Sequence, residues 1–324
     1  MSRWFLDPGQ PLLDARFPLP LDQPFGGAAA LAAGLTQNDL ARLVSAGYLR
    51  HPMTGVYAAA QVPDSLDHRA AVVRLVIPPD GIVTDRTAGW LHGAPMILAP
   101  NDHLLVPHVS AFVRREGGRL RNEMTDSGQR MMPASDIVEM AGLRVTTPLR
   151  TACDLGRLLH RDHAFAALDM MLRLRAFSRD ELIDCVRRFR GYRGVRQLRV
   201  FAPLADARSE SPGESAVRLR WLDMGSLPRP EPQRPVRGPG WSTYWLDLGV
   251  DELWFAVEYD GEEFHSSSEQ RESDRIRREW VASHTPWQIE VVTKENVFGR
   301  RRDIEGILLE GVAQARRRLG KLAG

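Results

Sequence analysis

Hydrophobic periodicity is missing at the start of the chain. Residues 1–26 are rich in proline and aspartate and read as an extended lead-in. Helical spacing then begins, with a short alanine-rich helix over Ala28 to Ala33, ended by Gly34. Thr36 with Asp39 three residues on forms a capping box for a second helix through Leu40, Leu43 and Val44, and Gly47 closes it. Tyr48-Leu49-Arg50 and Val56-Tyr57-Ala58 are two short strands around the turn-rich Pro52-Met53-Thr54-Gly55. Helix, glycine, helix, hairpin is the order of a winged helix-turn-helix, which sets residues 27–60 apart; a capping or dimerisation module shares that order.

Residues 61–208 carry a mixed pattern. Leu104-Leu105-Val106 and Ala111-Phe112-Val113 are expected strands, and Asp136 to Val145 contributes another. Pro148 suits the first turn of a helix capped by Thr147, a second helix runs from Asp162 to Ala176, and Ser178 with Glu181 caps a third. His92, His160 and His163 lack partners at ligand spacing and read as packing or surface residues.

Ser209 to Gly213 is polar and reads as a linker into the last region, residues 209–324. There the pattern predicts a helix from Ser215 to Met224, a Pro- and Gly-dense loop from Pro228 to Gly240 and a strand ending near Leu248. A turn around Gly249 to Glu252 follows, then a strand from Leu253 to Glu258, a helix from Glu269 to Ser283, a strand from Gln288 to Thr293 and a closing basic helix from Arg302 to Leu319. The expected class is therefore α/β multidomain: a winged helix-turn-helix, a mixed α/β middle region and a C-terminal α/β domain.

With 43% hydrophobic residues in 324, the chain can bury two or three cores. No apolar run reaches the roughly 18 to 20 residues that cross a bilayer, and the first ten residues lack a signal-peptide pattern, so a cytoplasmic protein without membrane contact is expected. Cys153 and Cys185 have no spacing suited to zinc or a disulfide framework. The net charge of +2 hides an uneven distribution: Ala141 to Val200 holds thirteen arginines against six acidic residues. Such a stretch is either a set of solvated helix faces or a phosphate-facing surface. Lysine occurs only at positions 294 and 321, so base composition contributes to the arginine richness.

The candidate chemistry lies between Trp241 and Asp274. Apolar strands seldom carry carboxylates, because a buried charge is costly unless paired or bound to metal. Here Leu246-Asp247-Leu248 and Val257-Glu258-Tyr259-Asp260 both do so. Hard cations such as Mg²⁺ (or Mn²⁺) are held by carboxylates with substrate phosphates, the requirement of phosphodiester hydrolysis. Strand alternation puts Glu258 and Asp260 on one face. Asp247 joins them only in one register: a turn centred between Val250 and Asp251 leaves Glu258 about 13 Å away, whereas a turn over residues 251 to 254 sets Asp247 opposite Glu258.

Two resemblances extend this picture. Leu35-Thr36-Gln37-Asn38-Asp39-Leu40 through Gly47-Tyr48-Leu49-Arg50 to Gly55-Val56-Tyr57, with Thr87-Ala88-Gly89-Trp90-Leu91-His92-Gly93 and Val145-Thr146-Thr147-Pro148-Leu149-Arg150-Thr151-Ala152-Cys153-Asp154-Leu155, resembles AbiEi-type antitoxins from about 27 to 205. That implies DNA recognition by the winged helix, with Arg50 as a contact, and a toxin or a second copy of the chain as protein partner. Pro212-Gly213-Glu214-Ser215, Leu246-Asp247-Leu248, Val257 to Gly261 with His265, Gln270, Asp274 and Arg278, and Pro286-Trp287-Gln288-Ile289 resemble the very-short-patch-repair-like branch of the PD-(D/E)xK endonucleases. This restriction-endonuclease-like resemblance implies Asp247 and Glu258 as metal ligands, Asp260 as a third acid, His265 as general base and Glu214 as a helix-borne acid. Arg277, Arg278, Arg300 and Arg301 would neutralise phosphates. The lysine expected two residues after Glu258 is replaced by Asp260. Two functions are weighed: a metal-dependent DNA endonuclease or nickase targeted by its own winged helix, and an antitoxin-type DNA-binding regulator with a degenerate nuclease-like domain. An RNA-directed toxin is a third.

Overall fold

The computed structural model describes residues 12–95, 107–114, 125–261 and 268–322. These form a mixed α/β protein in two compact units, divided between Thr151 and Ala152, with residues 94–95 counted in the second. The division falls inside the expected 61–208 region: its strands and first two helices group with the N-terminal elements, and the helices after Thr151 with the C-terminal sheet. No helix among the described residues is long and apolar enough to cross a membrane.

In the first unit, β1 (Phe25–Gly26) leads into α1 (Gly27–Ala32), α2 (Gln37–Ser45) and a hairpin of β2 (Leu49–Met53) and β3 (Val56–Ala59). The expected capping box opens α2: the Asp39 backbone N–H donates to Thr36 Oγ1 at 3.2 Å and the Thr36 N–H to Asp39 Oδ2 at 2.8 Å. Leu40 and Leu43, three apart on one face of α2, pack with Phe25, Leu35, Leu49 and Tyr57 over the antiparallel sheet β1-β3-β2. The helices and hairpin thus stand in the order the sequence predicts.

Next come α3 (Leu66–Arg74), β4 (Ile82–Val83), α4 (Asp85–Leu91), β5 (Val109–Arg114), β6 (Thr125–Arg130), β7 (Ile137–Met140) and β8 (Leu143–Thr146), whose strands make a five-stranded mixed sheet in the order β6-β5-β4-β8-β7. Its core holds Val72, Val73, Val83, Ala111 and Val145. The single strand expected over Asp136 to Val145 is instead the β7–β8 hairpin. Ala141 and Gly142 turn it at φ +45° and +71°, and Gly142 was the sequence signal for this break. Leu104 to Val106 lie outside the described residues.

The second unit takes in most of α5 (Pro148–Leu158), then α6 (Arg161–Arg173), α7 (Arg179–Val186), α8 (Val195–Phe201) and α9 (Pro212–Asp223). Thr147 accepts the Arg150 N–H, and Ser178 with Glu181 closes a capping box on α7, both as expected. The segment read as a linker is structured: Ser209 is fully buried, and Ser211 caps α9 through the Glu214 N–H at 3.1 Å. Polar residues here were serving a cap, not a flexible tether. Ion pairs fasten α9 to α6, with the Arg218 guanidinium on both oxygens of the buried Asp169 at 2.7 and 2.6 Å and Arg220 on Asp162.

The C-terminal sheet runs β12-β11-β10-β9, formed by β9 (Glu231–Arg237), β10 (Thr243–Val250), β11 (Phe255–Asp260) and β12 (Gln288–Thr293). β9 corrects the loop expected over Pro228 to Gly240. Pro232 and Pro235 suggested a loop, but β9 is an edge strand, where a missing N–H is tolerated. β11 and β12 are parallel, as a crossover through α10 (Ser268–His284) permits; α11 (Lys294–Phe298) and α12 (Ile304–Leu322) follow. Alternation along β11 covers both faces. Phe255 and Val257 pack with Trp221 of α9 and Ile304, Leu308 and Val312 of α12, while Ala256 packs with Val281 of α10 and Trp287.

Candidate functional site

Register decides which carboxylates meet. β10 pairs with β11 as Val250 with Phe255, Gly249 with Ala256 and Leu248 with Val257, so the reversal occupies residues 251–254; continued one residue, this register sets Asp247 opposite Glu258. The second of the two arrangements weighed from the sequence is the one adopted. A short 3₁₀ turn over Asp251–Leu253 and Trp254 at φ +49° make the reversal. Beside Glu258 the Asp247 side chain takes over a backbone role, its Oδ2 accepting the Tyr259 N–H at 2.9 Å.

A third carboxylate arrives from α9. Gly213 lets the first turn of α9 lie on Tyr259, where an added Cβ would sit 2.0 Å from the ring. That approach delivers Glu214, which accepts the Glu210 N–H at 2.9 Å and the Gln233 amide at 3.2 Å. On the α10 side, Arg277 clamps Glu258 with two hydrogen bonds, 2.7 Å to Oε1 and 2.9 Å to Oε2, and reaches the Trp245 carbonyl at 3.3 Å. Glu258 is only 3% exposed, so this guanidinium is its counter-charge.

The electrostatics follow from three acids beside one clamp. Burial, and then the charges of Glu214 and Glu258, hold the Asp247 carboxyl well above the usual carboxylate range, against the Tyr259 N–H and Arg277. Burial likewise raises Glu214, opposed by the hydrogen bonds from Glu210, Ser211 and Gln233. Burial alone would lower Arg277, but its bonds to Glu258 outweigh that and raise it. The Tyr259 hydroxyl is pushed up to about 12 by burial and by Asp260.

The structure thus brings Glu214, Asp247 and Glu258 together and leaves Asp260 aside. The Asp260 side chain is half exposed at the end of β11 and lies 3.6 Å from Arg278. His265 lies outside the described residues. Among the described residues no group of three or more His, Cys, Asp or Glu is disposed to hold a metal. The donor set does not fit a divalent cation as it stands, because both Glu258 oxygens are engaged by Arg277. Arg277 and Arg278, expected to face phosphates, turn to Glu258 and Asp260, and Arg277 also lies 3.6 Å from Asp274. Arg300 and Arg301 are exposed beyond α11. Arg50 is half-buried and donates to the Val62 carbonyl, so the side chain expected to meet DNA is engaged within its own unit. Gln233 and the clamping role of Arg277 were missed. The first sat in a strand read as loop, and the second depends on how α10 is rotated about its axis.

Residues 81–204 match the family model of the AbiEi antitoxin C-terminal domain. The uncharacterized protein Rv2248 of Mycobacterium tuberculosis (strain ATCC 25618 / H37Rv) is 32% identical over 243 residues, covering 75% of this chain and 85% of the relative. The uncharacterized protein MT2308 of strain CDC 1551 / Oshkosh matches to the same extent. The chain belongs to the family of these mycobacterial proteins. The segment that matches the AbiEi model runs from just before β4 to the end of the short helical turn after α8. The acidic cluster on α9, β10 and β11 lies beyond that segment, so the family model says nothing about it.

Proposed function

We propose that this chain is a DNA-binding regulator of antitoxin type, with a protein toxin as partner, and that its C-terminal sheet is a closed scaffold and not a hydrolase. In this reading α1, α2 and the β2–β3 hairpin are a winged helix that meets DNA. The AbiEi antitoxin match over residues 81–204 supports the class. The geometric observation that carries the reading is the clamp: Arg277 takes both oxygens of Glu258, where a nuclease of the resembled kind needs a free carboxylate for Mg²⁺ or Mn²⁺.

A metal-dependent deoxyribonuclease with a restriction-endonuclease-like sheet remains the second reading, favoured by one observation. Asp247 stands opposite Glu258 with Glu214 acting on it electrostatically. Incubation with supercoiled plasmid and with labelled duplex, in Mg²⁺, Mn²⁺ or EDTA and beside a Glu258→Ala variant, separates the two. The regulator reading expects gel-shift binding equal in EDTA and metal, with no nicking. Metal-dependent nicking that the variant loses overturns it.

A further inference from the structure

The arginine-rich end of the family segment is built differently from the rest of its unit. From Cys185 to Ala205 the chain has no acidic residue, yet it carries Arg187, Arg188, Arg190, Arg193, Arg196 and Arg199. Buried arginines of this unit are matched to acids, Arg157 with Asp154, Arg218 with Asp169 and Arg220 with Asp162, and at the edge of the stretch Arg187 lies 3.6 Å from Asp184. Arg190, Arg193, Arg196 and Arg199 are exposed, and among the described residues their guanidinium groups have no hydrogen-bond or ion-pair partner. Base composition favours arginine over lysine, but it does not remove acids or leave four guanidinium groups unpaired together.

Beneath these side chains the backbone is pinned. Gly191 and Gly194 turn the chain at φ +82° and +75°, and Gly194 passes so close to α5 that an added Cβ would meet the Arg157 carbonyl oxygen at 1.7 Å. Arg157 donates to the Arg193 carbonyl at 3.2 Å and lies 5.5 Å from the rings of both Phe189 and Tyr192. The Gln197 amide donates to the Gly156 and Leu159 carbonyls at 2.9 and 3.1 Å. Above this frame is an open cavity of about 440 Å³ lined by Arg190, Tyr192, Arg196 and Arg199. Arg196 and Arg199, three apart on α8, share a face. A fixed frame carrying free guanidinium groups binds phosphate with little ordering cost, and the planar fork matches phosphate oxygens.

We infer that residues 187–199 form a phosphate-binding element that grips the backbone of duplex DNA, separate from the N-terminal helices and hairpin. The inference rests on the DNA-binding reading and adds to it a sequence-independent contact. Each phosphate neutralised steepens the fall of log K with log salt by about 0.9.

The test is fluorescence anisotropy of the full chain with a labelled duplex DNA, titrated between 50 and 200 mM salt. The combined Arg190→Gln, Arg193→Gln, Arg196→Gln, Arg199→Gln variant is measured beside the matching four-lysine variant. The expected result is a slope reduced by about 2 to 4 in the glutamine variant, with at least tenfold weaker binding at 200 mM salt, and a near-normal slope in the lysine variant. A single Arg199→Gln should lower the slope by about 0.9. Wild-type binding with unchanged slopes in the glutamine variants overturns this inference and leaves the DNA reading standing. No wild-type binding to any duplex overturns both. A slope change on duplex RNA without one on DNA overturns the assignment to DNA.

Discussion

Replacing Arg277 by glutamine tests the clamp directly. Glu258 is 3% exposed and places both oxygens on this one guanidinium, while Arg278 approaches only to 3.9 Å. Removing the clamp leaves a buried carboxylate beside Asp247 and Glu214. Breaking a buried pair by deleting one partner costs about 3–5 kcal/mol. The Arg277 side chain is 22% exposed, so water can enter part of the gap, and the lower end of that range, about 3 kcal/mol, is expected.

Urea unfolding at pH 7 measures this loss as a shift in midpoint at constant slope. The same measurement on Glu258→Gln and on the double variant completes a cycle. The double variant should lose less than the sum of the singles by at least about 1.5 kcal/mol, because the glutamine at 258 no longer needs the cation. A single-variant loss under about 1 kcal/mol, or additive losses, refutes the argument that Arg277 is the counter-charge holding this sheet closed.

Three further outcomes follow from the same geometry. The Asp247 carboxyl is raised, so the native state holds an extra proton; its contribution to stability is full below pH 3.8 and is lost as pH rises through the folded value, at up to about 1.4 kcal/mol per pH unit. Asp247→Asn should therefore be more stable than wild type at pH 7 in thermal melts, with the gap narrowing toward acid; a gap that widens toward acid contradicts the assignment. Arg218→Met strands the buried Asp169 and should cost about 3–5 kcal/mol, with Asp169→Asn in the same chain recovering part, both read by urea unfolding. Gly194→Ala should lose more than about 2 kcal/mol, of which about 1–2 comes from the left-handed backbone and the rest from the clash with Arg157; Gly191→Ala, at a similar φ with open space around it, should lose only about 1–2, and equal losses would contradict the close approach.

Local signals were legible in the sequence where one short motif fixes one element. Thr36 with Asp39 and Ser178 with Glu181 capped the helices they predicted, and β12 has the expected bounds, Gln288–Thr293. Signals failed where tertiary position decides. Pro232 and Pro235 mean loop in a central strand and are harmless on an edge, and Ser209 to Gly213 looks like a tether until Ser211 is seen capping α9. The candidate site shows the same division. That apolar strands carried Asp247 and Glu258 told us a counter-charge had to be near. Which cation supplies it depends on the rotation of α10, seventeen residues without a strong local phase marker. A carboxylate pattern on a strand is satisfied by a metal or by a guanidinium, and the two solutions differ by a side chain arriving from another element. Arg277 arrives on that carboxylate here, as a buried ion pair joining α10 to the sheet.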